Sequence, residues 1–448
     1  MTKHIPSTRA KRVTAAFAAL GAVTLGLTAC GPAVGGGTDA AAAATDWSAV
    51  EPAQSISFWT NHPGGSQAVE KQIVDAFTAE TGIQVEIVTA GANYEEVSQK
   101  FQTAQTSGDA GDLVVLSDAT WFTNYVNDSL LPVDEVFEAN GADTSTYNTT
   151  LFDDYLYEGS HYGVPYARST TIYYYNKDQY AEAGIADAPT TWDEVKANSE
   201  KLIDSGVTDI AFSFPSAEDY PAWMMNNLVW GYGGGWSDEW DPSLVTSDGT
   251  VEAVQFAQDA VKDGWANVSS GSPADDFAAG ATSQFIGSTG SLGGVTETAT
   301  FDVGVAFLPG GPAEQELVVP TGGAGVSISA QSTPEEQKAA AMLADYLTNA
   351  QNTVDFSAAT GYMPVRSDAD ASALYAENPN FEVAVQQLET RTRTQDFMRV
   401  FLPGGDLALA TSLQEILTTD VDVKTALTDL ETELQGLYDT NLKSALEG

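Results

Sequence analysis

From Ser55 onward, short strand-like runs alternate with longer runs of helical period, and this alternation restricts the chain to folds built on a sheet with crossover helices. Ser55 to Trp59 reads as a strand. Gln67 to Glu80 places Ala68, Ile73, Val74 and Phe77 close to helical spacing, Gly82 stops the helix, and Ile83 to Val88 alternates as a strand. Strand, helix, strand predicts a parallel pair. Tyr94 to Gln105 is predicted as a second helix and Asp112 to Leu116 as a buried strand ending in Ser117 and Asp118. Ligands collect at the strand ends of such sheets. The predicted class is α/β.

Further along, Gly163 to Tyr175 is β-rich and leads into a helix closed by Ala183-Gly184. Thr190 or Thr191 caps the next helix, with Glu194 completing a capping box. Residues 211–245 are crowded with Gly and aromatics, including Trp223, Trp230, Trp236 and Trp240, and suggest loops around ligand or core rings. Glu252 to Asp263 is helical, Asp302 to Leu308 strand-like, and Pro334 to Asn349 a long Ala-rich helix begun by Ser332-Thr333-Pro334. Val421 to Leu446 is mostly helix.

The first thirty residues follow a different rule. Lys3, Arg9, Lys11 and Arg12 precede the apolar run Val13 to Ala29, which ends at Leu27-Thr28-Ala29-Cys30. Charge followed by an apolar run is a secretion signal. The tetrad resembles a bacterial lipobox, in which the Cys is acylated and becomes the first residue of the processed chain. Residues 1–29 are therefore expected to be a signal peptide, and 30–54 the lipidated Cys30 with a flexible tether rich in Ala and Gly. No later stretch reaches the roughly 18 consecutive apolar residues of a spanning helix. The expected location is the outer face of the cytoplasmic membrane, held by a lipid anchor.

Composition removes several function classes. The chain of 448 residues has 18 Lys plus Arg against 62 Asp plus Glu, a formal charge of −44, which excludes a nucleic-acid partner. Beyond the signal only His62 and His161 remain, and Cys30 is the single cysteine, so neither a metal cluster nor a Cys-His pair is expected. Gly287-Ser288-Thr289-Gly290 lacks the spacing of a nucleophile elbow, and there is no phosphate-binding Gly-x-x-x-x-Gly-Lys loop. The doublets Asp153-Asp154 and Asp275-Asp276 could act as hydrolytic carboxylates, but solvated surface explains them better. What remains suits a polar small molecule: Trp59, Tyr94, Trp223 and Tyr362 offer flat apolar faces near element ends, amid hydroxyls, carboxylates and Gly-rich backbone.

Tyr173 to Asp178, Ala183-Gly184 and Pro189-Thr190-Thr191-Trp192-Asp193-Glu194 closely resemble the extracellular solute-binding proteins of ATP-driven importers, in the family that takes sugars and glycerol phosphates. Ser57-Phe58-Trp59 and Gly361-Tyr362-Met363-Pro364-Val365 match in order, so the likeness runs over about residues 55–440. Gly91-Ala92-Asn93-Tyr94-Glu95, Gly287 to Leu292, Gly322-Gly323-Ala324 and Met398-Arg399-Val400 resemble the glycerol 3-phosphate-binding branch. The resemblance implies that Tyr94 and Asp118 meet the glycerol end, Asp118 standing where that branch has Glu. It places Ser169 in a crossover segment, Ser288 or Thr289 and the amides of Gly322 and Gly323 near the phosphate, and Tyr362 and Arg399 on the anion. Trp223 is the expected packing aromatic, with Tyr220 second.

A charge near −44 repels phosphate at long range, so an anion needs a local cation or a fan of amides. Arg168, Arg366 and Arg399 are the basic residues beside the expected cleft.

The resemblance further implies a two-lobed periplasmic-binding-protein-like fold of class II type. Residues 55–165 plus about 296–360 form lobe 1, and 166–295 plus about 361–448 form lobe 2. Such a protein is expected to be a monomer without cofactor or enzymatic activity, to close its cleft on a small solute, and to deliver it to the transmembrane subunits of an ABC permease. The alternatives are a receptor for malto-oligosaccharide or other sugars, which would not need Arg399, a secreted glycoside hydrolase, and a surface sensor or adhesin without a permease.

Overall fold

The computed structural model describes residues 45–314, 319–392 and 395–446. The signal peptide, Cys30 and most of the tether lie outside them. The residues from Asp46 onward pack as one unit.

The opening strand-helix-strand forms as expected: β1 (Ser55–Thr60), α1 (Gln67–Thr81) and β2 (Gln84–Thr89), with β1 and β2 parallel. Val69, Ile73, Val74 and Phe77 form the buried stripe of α1. Gly82 ends it at φ 81°, a left-handed position that costs a Cβ-free residue least, and its N–H bonds Thr78 O. Next comes α2 (Tyr94–Gln105), capped by Asn93, whose side chain accepts from Glu96 N. Then β3 (Leu113–Ser117) runs parallel to β1, buried at every residue. A small ribbon, β4 (Leu156–Tyr157) and β5 (Ser160–His161), stands apart.

The longest strand organises the rest. β6 (Val164–Asn176) is rich in β-branched and aromatic residues and is buried almost throughout, as a strand covered on both faces must be. Its first half pairs antiparallel with β11 (Thr321–Ile328), which pairs in turn with β3. Its second half pairs antiparallel with β9 (Gln284–Ser288), which lies parallel to β7 (Phe212–Phe214), itself parallel to β8 (Ala266–Val268). The other edge of that second half takes β10 (Val303–Ala306). The order is β2-β1-β3-β11-β6-β9-β7-β8, and the partners change at Thr170/Thr171. One strand thus belongs to two half-sheets.

The helix Pro334–Leu347 carries a full capping box between Thr333 and Glu336. At the helix Trp192–Asp204, Thr191 accepts from Glu194 N, while the Glu194 carboxylate reaches back to Thr190 N, one residue short of the reciprocal bond. The aromatic stretch 211–245 folds into short helices and turns. Trp230 and Trp236 are fully buried in the core, and Trp240, partly buried, packs edge-on or tilted against Phe397, Phe401 and Tyr438.

Candidate functional site

Where the two half-sheets meet, a cavity of about 180 Å³ opens. Its walls come from both sides. The end of β3 contributes Asp118 and the first turn of α2 contributes Tyr94 and Glu95; from the other half come Asp219, Tyr220, Trp223 and Met224, then Ser288, Gly290 and Ser291, and Arg399 with Asp406. Ser169, just before the point where β6 changes partners, forms part of the surface.

Eight of the ten expected contacts line this cavity: Tyr94, Asp118, Ser169, Trp223, Ser288, Gly323, Tyr362 and Arg399. Thr289 does not: it is completely buried behind the wall, in the turn that Ser288 caps by accepting from Gly290 N. Nor does Gly322. Its backbone packs against the Trp223 indole, and a Cβ there would collide with the ring. The expected fan of amides is thereby reduced to Gly323 on this strand. Trp59 also lies elsewhere, under the Lys100 ammonium at 4.8 Å from its ring centroid.

Arg399 is the cation of the cavity wall. It is 2% exposed, and its guanidinium is fixed on three sides: Nη2 to Asp118 Oδ2 at 2.7 Å, Nη1 to Asp406 Oδ1 at 3.0 Å, and Nε to Gln395 Oε1 at 2.7 Å. Gln395 also donates to Asp118 Oδ2 at 2.6 Å and to the Thr321 carbonyl, tying the arginine to the start of β11. Burial pushes the Asp406 carboxyl above its ordinary range, although Arg399 pulls it back. The guanidinium has five N–H donors, so two remain for a ligand beyond these contacts.

Arg168 and Arg366 have internal partners. Arg168 is fully buried, paired with Asp154 and bonded to Tyr155 Oη at 2.9 Å, and Asp154 accepts from Thr321 Oγ1 at 2.7 Å. Arg366 bonds Asp345 at 2.5 Å and lies 3.9 Å from the Tyr147 ring centroid, away from the cavity. Both brace the fold.

The aromatic surface is mostly tyrosine. Tyr94 and Tyr362 join hydroxyls at 3.1 Å, and the rings of Tyr94 and Tyr220 lie 6.2 Å apart. Trp223 is held by its indole N–H on Thr321 O at 2.9 Å. Tyr220, the second choice from sequence, lines the cavity as well and bonds Glu95 Oε2 at 3.4 Å. Sequence reasoning missed Glu95, Asp219, Asp406 and Gln395. Glu95 had a signal, standing beside Tyr94 in the same helix-start motif. Asp406 and Gln395 had none: both bond Arg399 nearby in the chain, but the Asp118 that Arg399 and Gln395 also hold is nearly three hundred positions away.

A profile of the bacterial extracellular solute-binding proteins matches residues 72–383, more than half the chain. The chain is a bacterial extracellular solute-binding protein. This solute-binding protein is 26% identical over 362 residues to the sn-glycerol-3-phosphate-binding periplasmic protein UgpB of Pectobacterium atrosepticum, covering 75% of this chain and 80% of that one. The UgpB of Rhizobium meliloti matches at 26% over 321 residues, 67% of this chain and 74% of the relative. Among solved structures, UgpB from Mycobacterium tuberculosis in complex with glycerophosphocholine superposes with a TM-score of 0.82 at 37% identity, over 86% of this chain and 99% of that one. The acarbose receptor GacH of Streptomyces glaucescens, at 19% identity and TM-score 0.75 over 86% and 98%, shares the fold. The fold is accordingly the two-lobed periplasmic-binding-protein-like α/β fold, and Trp223 is the one tryptophan lining the cavity among the described residues.

Proposed function

We propose that this protein is the solute receptor of an ABC importer for glycerol 3-phosphate or a glycerophosphodiester, and that it binds its solute in the cavity between the lobes. The observation that carries this reading is Arg399, a buried guanidinium with two N–H groups left for an anion, set between hydroxyls and aromatic faces. The similarity to UgpB proteins, one of them solved with glycerophosphocholine, supports the same ligand chemistry.

Closure follows from a ligand that touches both walls and so binds the closed arrangement better. Lobe 1 takes the chain from 55 to about 170, and the return crossover is assigned between β10 and β11, later than residue 296, because β10 pairs with the second half of β6 and β11 with the first. Anchoring through Cys30, delivery to a permease, a monomeric state and the absence of catalysis complete the proposal. The lipobox-like tetrad supports the anchor, and family membership supports the rest.

Titration calorimetry against glycerol 3-phosphate, glycerophosphocholine and maltose tests the reading. Saturable binding of a glycerol phosphate is expected, without turnover of the ligand. Binding of maltose alone would replace it with a sugar receptor, and consumption of the ligand would replace it with a hydrolase.

A further inference from the structure

The cavity wall carries four carboxylates, Glu95, Asp118, Asp219 and Asp406, against the single guanidinium of Arg399. Asp118 and Asp406 are both bonded to that arginine, so the trio is already net negative when ionised. Arg168 lends little, being closed off by Asp154 and Tyr155. Glu95 is different from the Arg399 partners. It projects from the first turn of α2 on one wall and accepts from the Tyr220 hydroxyl on the other wall, at 3.4 Å. Beside it the rings of Tyr94 and Tyr220 stand 6.2 Å apart, tilted by 43°. A carboxylate sharing a cavity with tyrosine rings is the chemistry that attracts an ammonium, above all a quaternary one whose hydration is weak.

We propose that Glu95 is a specificity-determining residue that favours glycerophosphodiesters with a cationic head group over diesters whose head group is uncharged. This rests on the glycerol phosphate reading of the cleft. The diester's single negative charge meets Arg399, and its head-group cation meets Glu95 and the tyrosine faces. A phosphate monoester brings more negative charge and no cation to the same acidic wall, and is the weaker ligand.

The pH dependence gives the proposal a signature. Glu95 faces Asp406 from the helix Gly405–Thr418, Asp118 from the end of β3 and Tyr220 from the opposite wall. Burial first, then Asp406, push its carboxyl up to about 7, against a lowering by its own backbone N–H and by Tyr220. Asp219 is pushed to about 6, by burial and then by Asp275, so its titration precedes that of Glu95 as pH rises. Rising pH therefore adds negative charge to the wall, which helps a cationic head group and does nothing for a neutral one.

Calorimetry on the intact protein with glycerophosphocholine and glycerophosphoglycerol, at about pH 5.5 and about pH 8.5, tests this, because neither diester changes charge in that range. In the wild type the preference for the choline diester should grow roughly tenfold between the two pH values. In Glu95→Gln it should be about tenfold smaller at the higher pH, with only the weaker slope that Asp219 leaves. A wild-type preference that does not change with pH, or a Glu95→Gln protein that keeps both the preference and its slope, would overturn the proposal and leave the glycerol phosphate reading standing. If neither diester nor glycerol 3-phosphate saturates the wild type, both fall together. The wild-type profile decides even if the variant folds poorly.

Discussion

Arg399 is bound on three sides by groups that would be stranded without it, so its replacement has two consequences that can be measured apart. Arg399→Ala leaves Asp118 and Asp406 without their buried cation and should cost about 3–5 kcal/mol of stability, read by denaturant unfolding. Arg399→Lys keeps the charge but loses the fork. It should remain folded with a smaller loss, while glycerol phosphate binding in calorimetry falls by at least about tenfold. Undiminished binding in Arg399→Lys would show that the ligand does not use the guanidinium geometry. At this scale the sequence was a good guide wherever a residue sits inside a short recognisable run, as Tyr94, Ser288, Gly323 and Tyr362 do. It was a poor guide to facing: Thr289 and Gly322 are each one residue away from a true wall position and point into packing instead.

Elements depend on local chemistry that can be tested locally. Thr333 and Glu336 close a reciprocal box at the start of Pro334–Leu347, a helix packed on α1 and β1, so Thr333→Ala should lose about 1 kcal/mol in chemical denaturation with ligand affinity unchanged. Gly323 is a stricter case. It sits at φ 86° between β3 and β6, its carbonyl accepts from Asp118 N at 3.1 Å, and a Cβ would strike the Ala167 carbonyl oxygen. Gly323→Ala should therefore destabilise by at least about 1–3 kcal/mol and also move Asp118. Wild-type melting and wild-type affinity in that variant would refute the strained role. The strands and helices named from sequence formed within a few residues, because burial on one or both faces fixes their periodicity, whereas the short strands β7, β8 and β9 were too brief to show one. The partners of β6 were not, since a continuous apolar run is compatible with any neighbour on either edge.

For the whole molecule, the buried acids of the cleft set a sign for pH. Glu95 is raised by burial from 4.5 to about 7 and Asp219 by burial from 3.8 to about 6, so the folded protein holds more protons than the unfolded chain across that window. Stability is then fully present below the ordinary carboxyl values and is lost as pH rises through the folded ones. His62, raised by its hydrogen bond to Glu70, adds the same sign from 6.5 upward. The exposed helix caps Asp143, Asp241 and Asp422 are lowered by their Ser or Thr partners and act oppositely, losing stability only as pH falls below the ordinary carboxyl range. The melting temperature of the protein without ligand should thus be higher near about pH 5 than near about pH 8, and a melting curve that improves steadily toward alkaline pH would contradict it. The same acid excess, 62 against 18 basic residues, was plain in the sequence, as were the α/β class, the family and eight of the residues that line the cavity. These are properties of single residues and short runs, where composition and period carry the information. Only the tertiary structure decided that Arg168 and Arg366 are spent on internal partners, that Gln395 and Asp406 hold Arg399, and that Glu95 meets Tyr220 across the opening. Gln395 and Asp406 are close to Arg399 along the chain, but the Asp118 that Arg399 and Gln395 grip and the Tyr220 that meets Glu95 come from distant segments, and the free energy that selects those contacts comes from burial and charge pairing that exist only once both walls have been brought together.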